Sequence, residues 1–121
     1  EIWGTGKPKR EVMHVDDLAA AIGFILKKKI KNDKKLLALI KKSSVINVGS
    51  GIEYSVSNFA KIICKILNNK NKLSFNQNYP DGTMRKILDS SLIKSLGWKP
   101  KIKIKNGLSE TIKWYKKNYL N

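Results

Sequence analysis

The sequence predicts an α/β fold with an incomplete sheet and several amphipathic helices. Short β-branched runs alternate along the 121 residues with longer segments whose apolar side chains recur every three or four positions. Glycine, proline and asparagine clusters separate many of these segments. The predicted strands are too few and too short to complete a sheet alone. A chain of this length fits one small domain or part of a larger one.

The first half of the chain is predicted to alternate between strand and helix. Residues 11–15 form a short strand, and Asp16 suits a helix N-cap because its carboxylate can accept the free amide hydrogens of the first turn. The helix that follows carries an apolar stripe made of Leu18, Ala21, Ile22, Ile25 and Leu26. Residues 31–44 read as a lysine-rich connection with one or two helical turns. Residues 45–48 are predicted to form a buried strand that Gly49-Ser50-Gly51 ends.

The second half is predicted to hold three more helices and a further short strand. The strand covers residues 73–75 and leads into a loop with the sequence Pro80-Asp81-Gly82. The helices are one from Asn58 to Leu67 capped by Ser55 or Ser57, one capped by Asp89 and stopped by Gly97, and one from about Ile104 to Asn118.

The net charge of +16 is the most conspicuous feature of the composition. A basic chain can bind nucleic acid, but here 23 lysines and only two arginines are spread along the whole length. Arginine is the residue expected where phosphates and bases are held in bidentate fashion. We interpret the charge as a solvated coat, with no nucleic-acid and no membrane partner. The single cysteine, Cys64, lies among apolar residues, which predicts a buried thiol and agrees with a reducing cytoplasm.

Several apparent catalytic motifs are better explained by structure. Gly49-Ser50-Gly51 follows a strand as a dinucleotide loop would, but Tyr54 stands where its third glycine belongs. Gly4-Thr5-Gly6-Lys7 resembles a phosphate loop, but Pro8 replaces the hydroxyl residue. His14 is the lone histidine and is expected to be structural, with no metal site near it. Helix capping also explains Asp16 and Asp17 better than a catalytic role does.

A second group of residues suits the binding of an anion and a base. Trp3 offers a flat apolar face, Arg10 offers a fork of donors that matches a diphosphate, and Asp81 can accept hydroxyl or amine hydrogens. Additional positive charge is available from Lys7, Lys9, Arg85 and Lys86.

The ordered strings of the sequence resemble the substrate-binding part of extended short-chain dehydrogenases that act on nucleotide sugars. The resemblance rests on Trp3-Gly4-Thr5-Gly6, on His14-Val15-Asp16-Asp17-Leu18-Ala19, on Asn47-Val48-Gly49-Ser50-Gly51 and on Leu96-Gly97-Trp98. The segment Pro80-Asp81-Gly82-Thr83-x-Arg85-Lys86 is more specific, because it is similar to the corresponding block of the GDP-L-fucose synthase family.

The resemblance implies that residues 1–121 are the C-terminal sugar-nucleotide-binding region of a Rossmann-like enzyme whose N-terminal cofactor domain is absent from this chain. Trp3, Arg10 and Asp81 fall on positions that contact the GDP-sugar in that family, and Arg85 and Lys86 are possible further contacts. The complete enzyme would be a homodimer that uses NADPH to epimerise and reduce GDP-4-keto-6-deoxymannose. The family's cofactor loop, its Tyr-x-x-x-Lys pair and its catalytic Cys and His have no match here, so we expect this chain alone to be inactive.

Two departures from the family pattern and two alternative functions stay open. Tyr79 stands before Pro80 where the family often has lysine, and Lys103 stands where relatives commonly have a serine cap, so the last helix is expected to start without one. The alternatives are another nucleotide-sugar epimerase or dehydratase, and a basic module that binds nucleic acid.

Overall fold

The computed structural model describes residues 1–43 and 45–120 as five helices and five very short strands. The strands are β1 (Ile2–Trp3), β2 (Lys9–Glu11), β3 (Glu53–Ser55), β4 (Phe75–Asn76) and β5 (Arg85–Lys86). The helices are α1 (Val15–Ile30), α2 (Lys34–Lys42), α3 (Val56–Ile66), α4 (Ser91–Ser95) and α5 (Ile104–Tyr119). None of these helices is long and apolar enough to cross a membrane.

Two small sheets bring the beginning of the chain against its middle and its second half. In the first, β1 runs parallel to β4, with Trp3 opposite Asn76. In the second, the strand order is β3-β2-β5, so that β2 is central; it is antiparallel to β3 and parallel to β5. The two strands β1 and β2 are separated by one tight turn. Through the two sheets, residues 1–11 therefore contact segments that lie 40 to 80 positions further along the chain.

A compact cluster between α1 and the α4 segment forms the core. Its buried members are Ala21 on α1, Ile93 on α4 and Trp98. The partly buried side chains that pack against this cluster are Met13, Phe24, Ile25, Ile46 and Val48. The core therefore joins α1 to the segment around α4 and positions the strands that carry the candidate site.

One long face of α1 is apolar and exposed. Ala21 faces the core, but five larger apolar side chains on the helix are between 41% and 80% exposed: Val15, Leu18, Ile22, Leu26 and Ile30. These residues recur at intervals of three or four positions, so they form one stripe along the helix. The predicted apolar stripe is therefore present, and two of its members, Ala21 and Ile25, lie in or pack against the core cluster.

The structure confirms most predicted helices and corrects several local predictions. Helix α3 is capped by Ser55, whose hydroxyl accepts the amide hydrogen of Asn58 at 3.1 Å, and α5 begins at Ile104 as predicted. The N-cap of α1 is His14 instead of Asp16, because β2 ends at Glu11 and the chain turns into the helix from His14. Asp89 was predicted to cap α4, but Ser90 holds the N-cap position; Asp89 accepts the amide hydrogen of Ser91 from one residue further out.

Two segments differ more strongly from prediction. Residues 45–48 form no strand, since no neighbouring strand in the described residues offers them ladder hydrogen bonds; they still alternate, with Ile46 and Val48 on the core and Asn47 exposed. Residues 34–42 form a full helix instead of one or two turns, because Asp33 caps it through the amide of Leu36 at 2.9 Å. Ser44, at the end of that predicted connection, lies outside the described residues.

Candidate functional site

Trp3 lies at the surface end of the β1–β4 pair. Backbone hydrogen bonds from Ile2 to Ser74 and from Gly4 to Asn76, both 2.8 Å, fix the strand on either side of it. The indole is 66% exposed. One of its faces stacks on the ring of Tyr79, with centroids 4.2 Å apart and planes 11° from parallel. An aromatic pair therefore stands on this edge of the molecule.

Asp81 is bound to the turn that follows Trp3. The Thr5 amide donates to Oδ1 at 2.8 Å and the Thr5 hydroxyl donates to Oδ2 at 2.5 Å. These two donors hold the pKa of the Asp81 carboxyl below its ordinary value, so the group is an anion at neutral pH. Gly4 has φ +75°, and a Cβ added there would overlap Asp81, so the close approach depends on glycine.

Arg10 extends from the central strand to the same loop. Its Nη1 donates to the carbonyl oxygens of Lys9 at 2.7 Å and of Thr83 at 2.6 Å. A Cβ on Gly82 would stand only 3.2 Å from Nη2, so the guanidinium lies directly against the loop backbone. Within the part of the chain that the structure describes, no carboxylate forms a salt bridge with Arg10. Its charge is therefore available to an anion from outside.

Arg85 is engaged differently. Its Nε and Nη2 donate to the Glu53 carboxylate at 3.0 and 2.8 Å, an ion pair that crosses the central strand and joins β5 to β3. The hydrogen bonds between the two groups lower the pKa of Glu53 and raise that of Arg85. Lys86 is the strand partner of Arg10, which puts both side chains on one face of the sheet. Arg10 and Lys86 also line a cleft of about 300 Å³.

Glu11 was not predicted to matter, yet it lines this cleft and joins two segments of the chain beside it. Its carboxylate accepts hydrogen bonds from the Gly51 amide, from the Ser50 hydroxyl at 3.3 Å and from the Leu88 amide at 2.9 Å. A Cβ on Gly49 would lie 2.6 Å from the Glu11 carboxylate. Gly49 thus makes room for the Glu11 carboxylate. This agrees with our interpretation of the glycine pair as a tight turn.

The other polar candidates make structural contacts. His14 caps α1, with Nδ1 accepting the Asp16 amide hydrogen at 3.3 Å. Asp17 is 4% exposed and its two oxygens accept the amide hydrogens of Lys101 and Ile102 at 2.9 and 3.0 Å. Cys64 is half-buried rather than buried, beside a shallow cleft. No group of residues suited to hold a metal ion occurs within residues 1–43 and 45–120.

The structure therefore brings the predicted site residues to one loop. Residues 79–83 carry Tyr79 against Trp3, Asp81 against Thr5, and the Thr83 carbonyl against Arg10. Lys86 follows on β5 beside Arg10, whereas the guanidinium of Arg85 is directed to Glu53. An aromatic face, an anionic acceptor and a cationic fork thus lie along one edge of the molecule, an arrangement that can bind a ligand with a ring, polar hydrogens and a negative charge.

Comparison with known proteins gives this edge a context. The NAD dependent epimerase/dehydratase family matches residues 1–49. A probable GDP-L-fucose synthase of Oryza sativa subsp. japonica is 40% identical over 120 residues, which is 99% of this chain and 33% of that protein. The chain is related to the GDP-L-fucose synthases. It spans about a third of the length of the relatives that it matches.

Solved structures agree with this relation. A GDP-6-OMe-4-keto-L-xylo-heptose reductase from Campylobacter jejuni superposes with a TM-score of 0.79 at 40% identity, covering 96% of this chain and 33% of that one. A GDP-mannoheptose C4 reductase from the same organism, solved with NADP bound, gives 0.77 at 38% identity, covering 95% and 34%. The fold prediction, part of an extended short-chain dehydrogenase with a Rossmann-like fold, is confirmed.

Proposed function

We propose that this chain is the substrate-binding part of an NADPH-dependent GDP-4-keto-6-deoxymannose 3,5-epimerase-4-reductase, an enzyme that makes GDP-L-fucose. The observation that carries the proposal is the position of Arg10. Its guanidinium lies on the loop that bears Asp81, with no carboxylate partner in the described chain. The relatives and structures compared above act on GDP-sugars according to their names, and they differ in the sugar.

Each residue of the edge is assigned one task in this proposal. Arg10 binds the diphosphate, because a guanidinium presents a planar fork of donors to phosphate oxygens. Trp3 forms the wall against which a flat part of the ligand packs. Asp81 accepts a hydroxyl or amine hydrogen of the ligand; each of its oxygens has accepting capacity beyond the bond from Thr5. Lys86 adds a point charge beside Arg10, and Arg85 is a secondary candidate because Glu53 already engages its fork.

The nicotinamide cofactor does not fit the residues of this chain. The one glycine pair that follows β-branched residues has its Gly51 amide engaged by Glu11, and Tyr54 stands where a third glycine belongs. We therefore assign no hydride step to these residues. NADPH would be bound by a further domain, such as the two thirds of the relatives' length that this chain does not match.

The exposed apolar face of α1 supports a contact between this chain and a further domain. A stripe of five large apolar side chains along one helix is the kind of surface that proteins cover in an interface. We propose that the cofactor domain packs on this stripe, and that the complete enzyme is a cytoplasmic homodimer that binds neither nucleic acid nor membranes.

Because the cofactor site is assigned to the further domain, purified residues 1–121 should consume no NADPH when the keto-sugar is supplied. Measurable consumption would refute this assignment.

Nucleotide binding tests the central proposal. Calorimetric titration of the chain with GDP, UDP and dTDP should show binding that favours GDP. Arg10→Lys should weaken GDP binding at least about tenfold, because hydrogen bonds to charged groups contribute ~1.5–3 kcal/mol and ~1.4 kcal/mol corresponds to a factor of ten. Arg85→Lys is the comparison variant: because Glu53 already binds this guanidinium, it should weaken GDP binding less than Arg10→Lys does.

The melting temperature of both variants separates binding from folding. If Arg10 only ties β2 to the loop through Thr83, Arg10→Lys will lower the melting temperature and leave GDP affinity unchanged, and the binding role is wrong. If UDP or dTDP binds more tightly than GDP, the chain belongs to an enzyme for another nucleotide sugar.

A further inference from the structure

The stacked pair of Trp3 and Tyr79 contains a residue to which no role has been assigned above. The two rings are nearly parallel and 4.2 Å apart, and both side chains remain substantially exposed. Stacking of this kind between surface rings covers one face of the indole and leaves the other open. The side chain of Trp3 therefore has a defined orientation, with one face of the indole against Tyr79.

The backbone around the pair is arranged to keep the rings together. The Tyr79 amide contacts the carbonyl oxygen of Asn76 at 3.4 Å, and Asn76 is the strand partner of Trp3. Pro80 follows directly and restricts the backbone of Tyr79 to extended conformations. Asp81, one residue later, is tied to Thr5 by two hydrogen bonds. Both ends of the short segment that carries Tyr79 are thus attached to the strand and turn that carry Trp3.

We propose that Tyr79 is a positioning residue that holds the indole of Trp3 ready to stack on the base of the nucleotide. The inference rests on the proposed function. An exposed tryptophan without Tyr79 would have to be ordered when the ligand binds, and ordering one side chain at a binding site weakens affinity about two- to tenfold. When Tyr79 stacks on Trp3, the indole is ordered as the chain folds, so the ligand does not have to order it on binding.

The same geometry separates recognition of the base from recognition of the diphosphate. Tyr79 and Thr83 are four residues apart, so the Cα atoms of the residue that stacks on Trp3 and of the residue that Arg10 contacts lie within ~15 Å of each other. The base is assigned to the aromatic end of the loop and the diphosphate to the Arg10 end. A change at Tyr79 should therefore affect ligands that have a base and spare ligands that lack one.

The test compares GDP with inorganic diphosphate as probes on the 121-residue chain. Tyr79→Ala should weaken GDP binding two- to tenfold and leave the affinity for diphosphate unchanged. Tyr79→Phe keeps the stacking ring and should keep the wild-type affinity for GDP. Melting temperature and far-ultraviolet circular dichroism of each variant verify that the fold is intact, and the tryptophan emission spectrum should shift in Tyr79→Ala only.

Three outcomes would overturn the inference. Unchanged GDP affinity in Tyr79→Ala means that the ring does not position Trp3, and an equal loss for both probes means that Tyr79 only supports the loop. Tighter GDP binding in Tyr79→Ala means that the phenol ring competes with the base for Trp3. In all three cases the proposed function still stands, because Arg10→Lys is expected to weaken GDP binding whatever Tyr79 does. If the wild-type chain does not bind GDP at all, the proposed function itself is wrong.

Discussion

Asp17→Asn tests how the structure joins the first helix to the segment that precedes the last helix. The Asp17 side chain is 4% exposed, and its two oxygens accept the backbone amide hydrogens of Lys101 and Ile102. Asparagine keeps the size of the side chain but replaces one oxygen by an NH2 group, which is a donor. One of the two backbone amides then faces another donor in a site that excludes water.

The magnitude follows from the lost acceptor. A hydrogen bond to a charged group contributes ~1.5–3 kcal/mol, and a buried donor left without a partner costs ~1–3 kcal/mol. Since these two contributions overlap, we expect Asp17→Asn to lower the free energy of unfolding by about 2–4 kcal/mol. This is a large share of the ~5–15 kcal/mol that stabilises a typical small domain.

Asp16→Asn is the matched control, because it removes the same charge from the same helical turn. Its side chain is 74% exposed, so it shares only the electrostatic effect on the helix N-terminus, ~0.3–1 kcal/mol. Urea unfolding monitored by circular dichroism, with linear extrapolation to water, measures both variants. Losses that agree within ~0.5 kcal/mol would show that the two backbone hydrogen bonds contribute nothing beyond the helix-end charge.

Three further predictions follow from the same contacts. Lys103→Ser should raise the free energy of unfolding by ~1 kcal/mol, because Lys103 occupies the N-cap of α5 in an extended conformation without a side-chain hydrogen bond; Lys105→Ser, one residue inside the helix, should give no such gain. The hydrogen bonds from Thr5 to Asp81 stabilise the fold above the ordinary carboxyl pKa of 3.8, and this stabilisation is lost as the pH falls through the lowered pKa that Asp81 has in the folded chain. The wild type should therefore lose more stability than Thr5→Val when the pH is lowered from about 5 to about 3. Binding to random DNA should be weak and disappear near physiological salt, because only counterion release drives it, and sequence-selective binding that persists would favour a nucleic-acid module.

The parts of the fold that local sequence determines were predictable. The helices α3 and α5 have an apolar stripe at helical spacing, and Ser55 stands in front of the first of them, so their positions followed from neighbouring residues. The absent cap of α5 was predicted from Lys103 for the same reason. The short strands were predicted only in part: the strand predicted for 73–75 overlaps β4 and the one for 11–15 overlaps β2 at a single residue. All five are two or three residues long and exist only through partners elsewhere in the chain.

The members of the candidate site stay a prediction, and their contacts could not be predicted from the sequence. Trp3, Arg10 and Asp81 were singled out because they are a large exposed ring, a rare arginine and a loop carboxylate, together with the family resemblance. The role of Glu11 was missed because its partners lie 39 to 77 positions away, and no local pattern announces such contacts. The carboxylate of Asp17 was explained by helix capping, and its contact to Ile102 crosses 85 positions.

These long contacts have a consequence for how the molecule folds. The hydrogen bonds of Asp81 to Thr5, of Arg10 to Thr83, of Glu11 to Leu88 and of Asp17 to Ile102 span 73 to 85 positions each. They close nearly the same loop, so the entropy of closure is lost once and the four contacts can then form together. During synthesis the candidate edge therefore cannot assemble until residues 79–86 have left the ribosome, and the contact of Asp17 has to await Ile102.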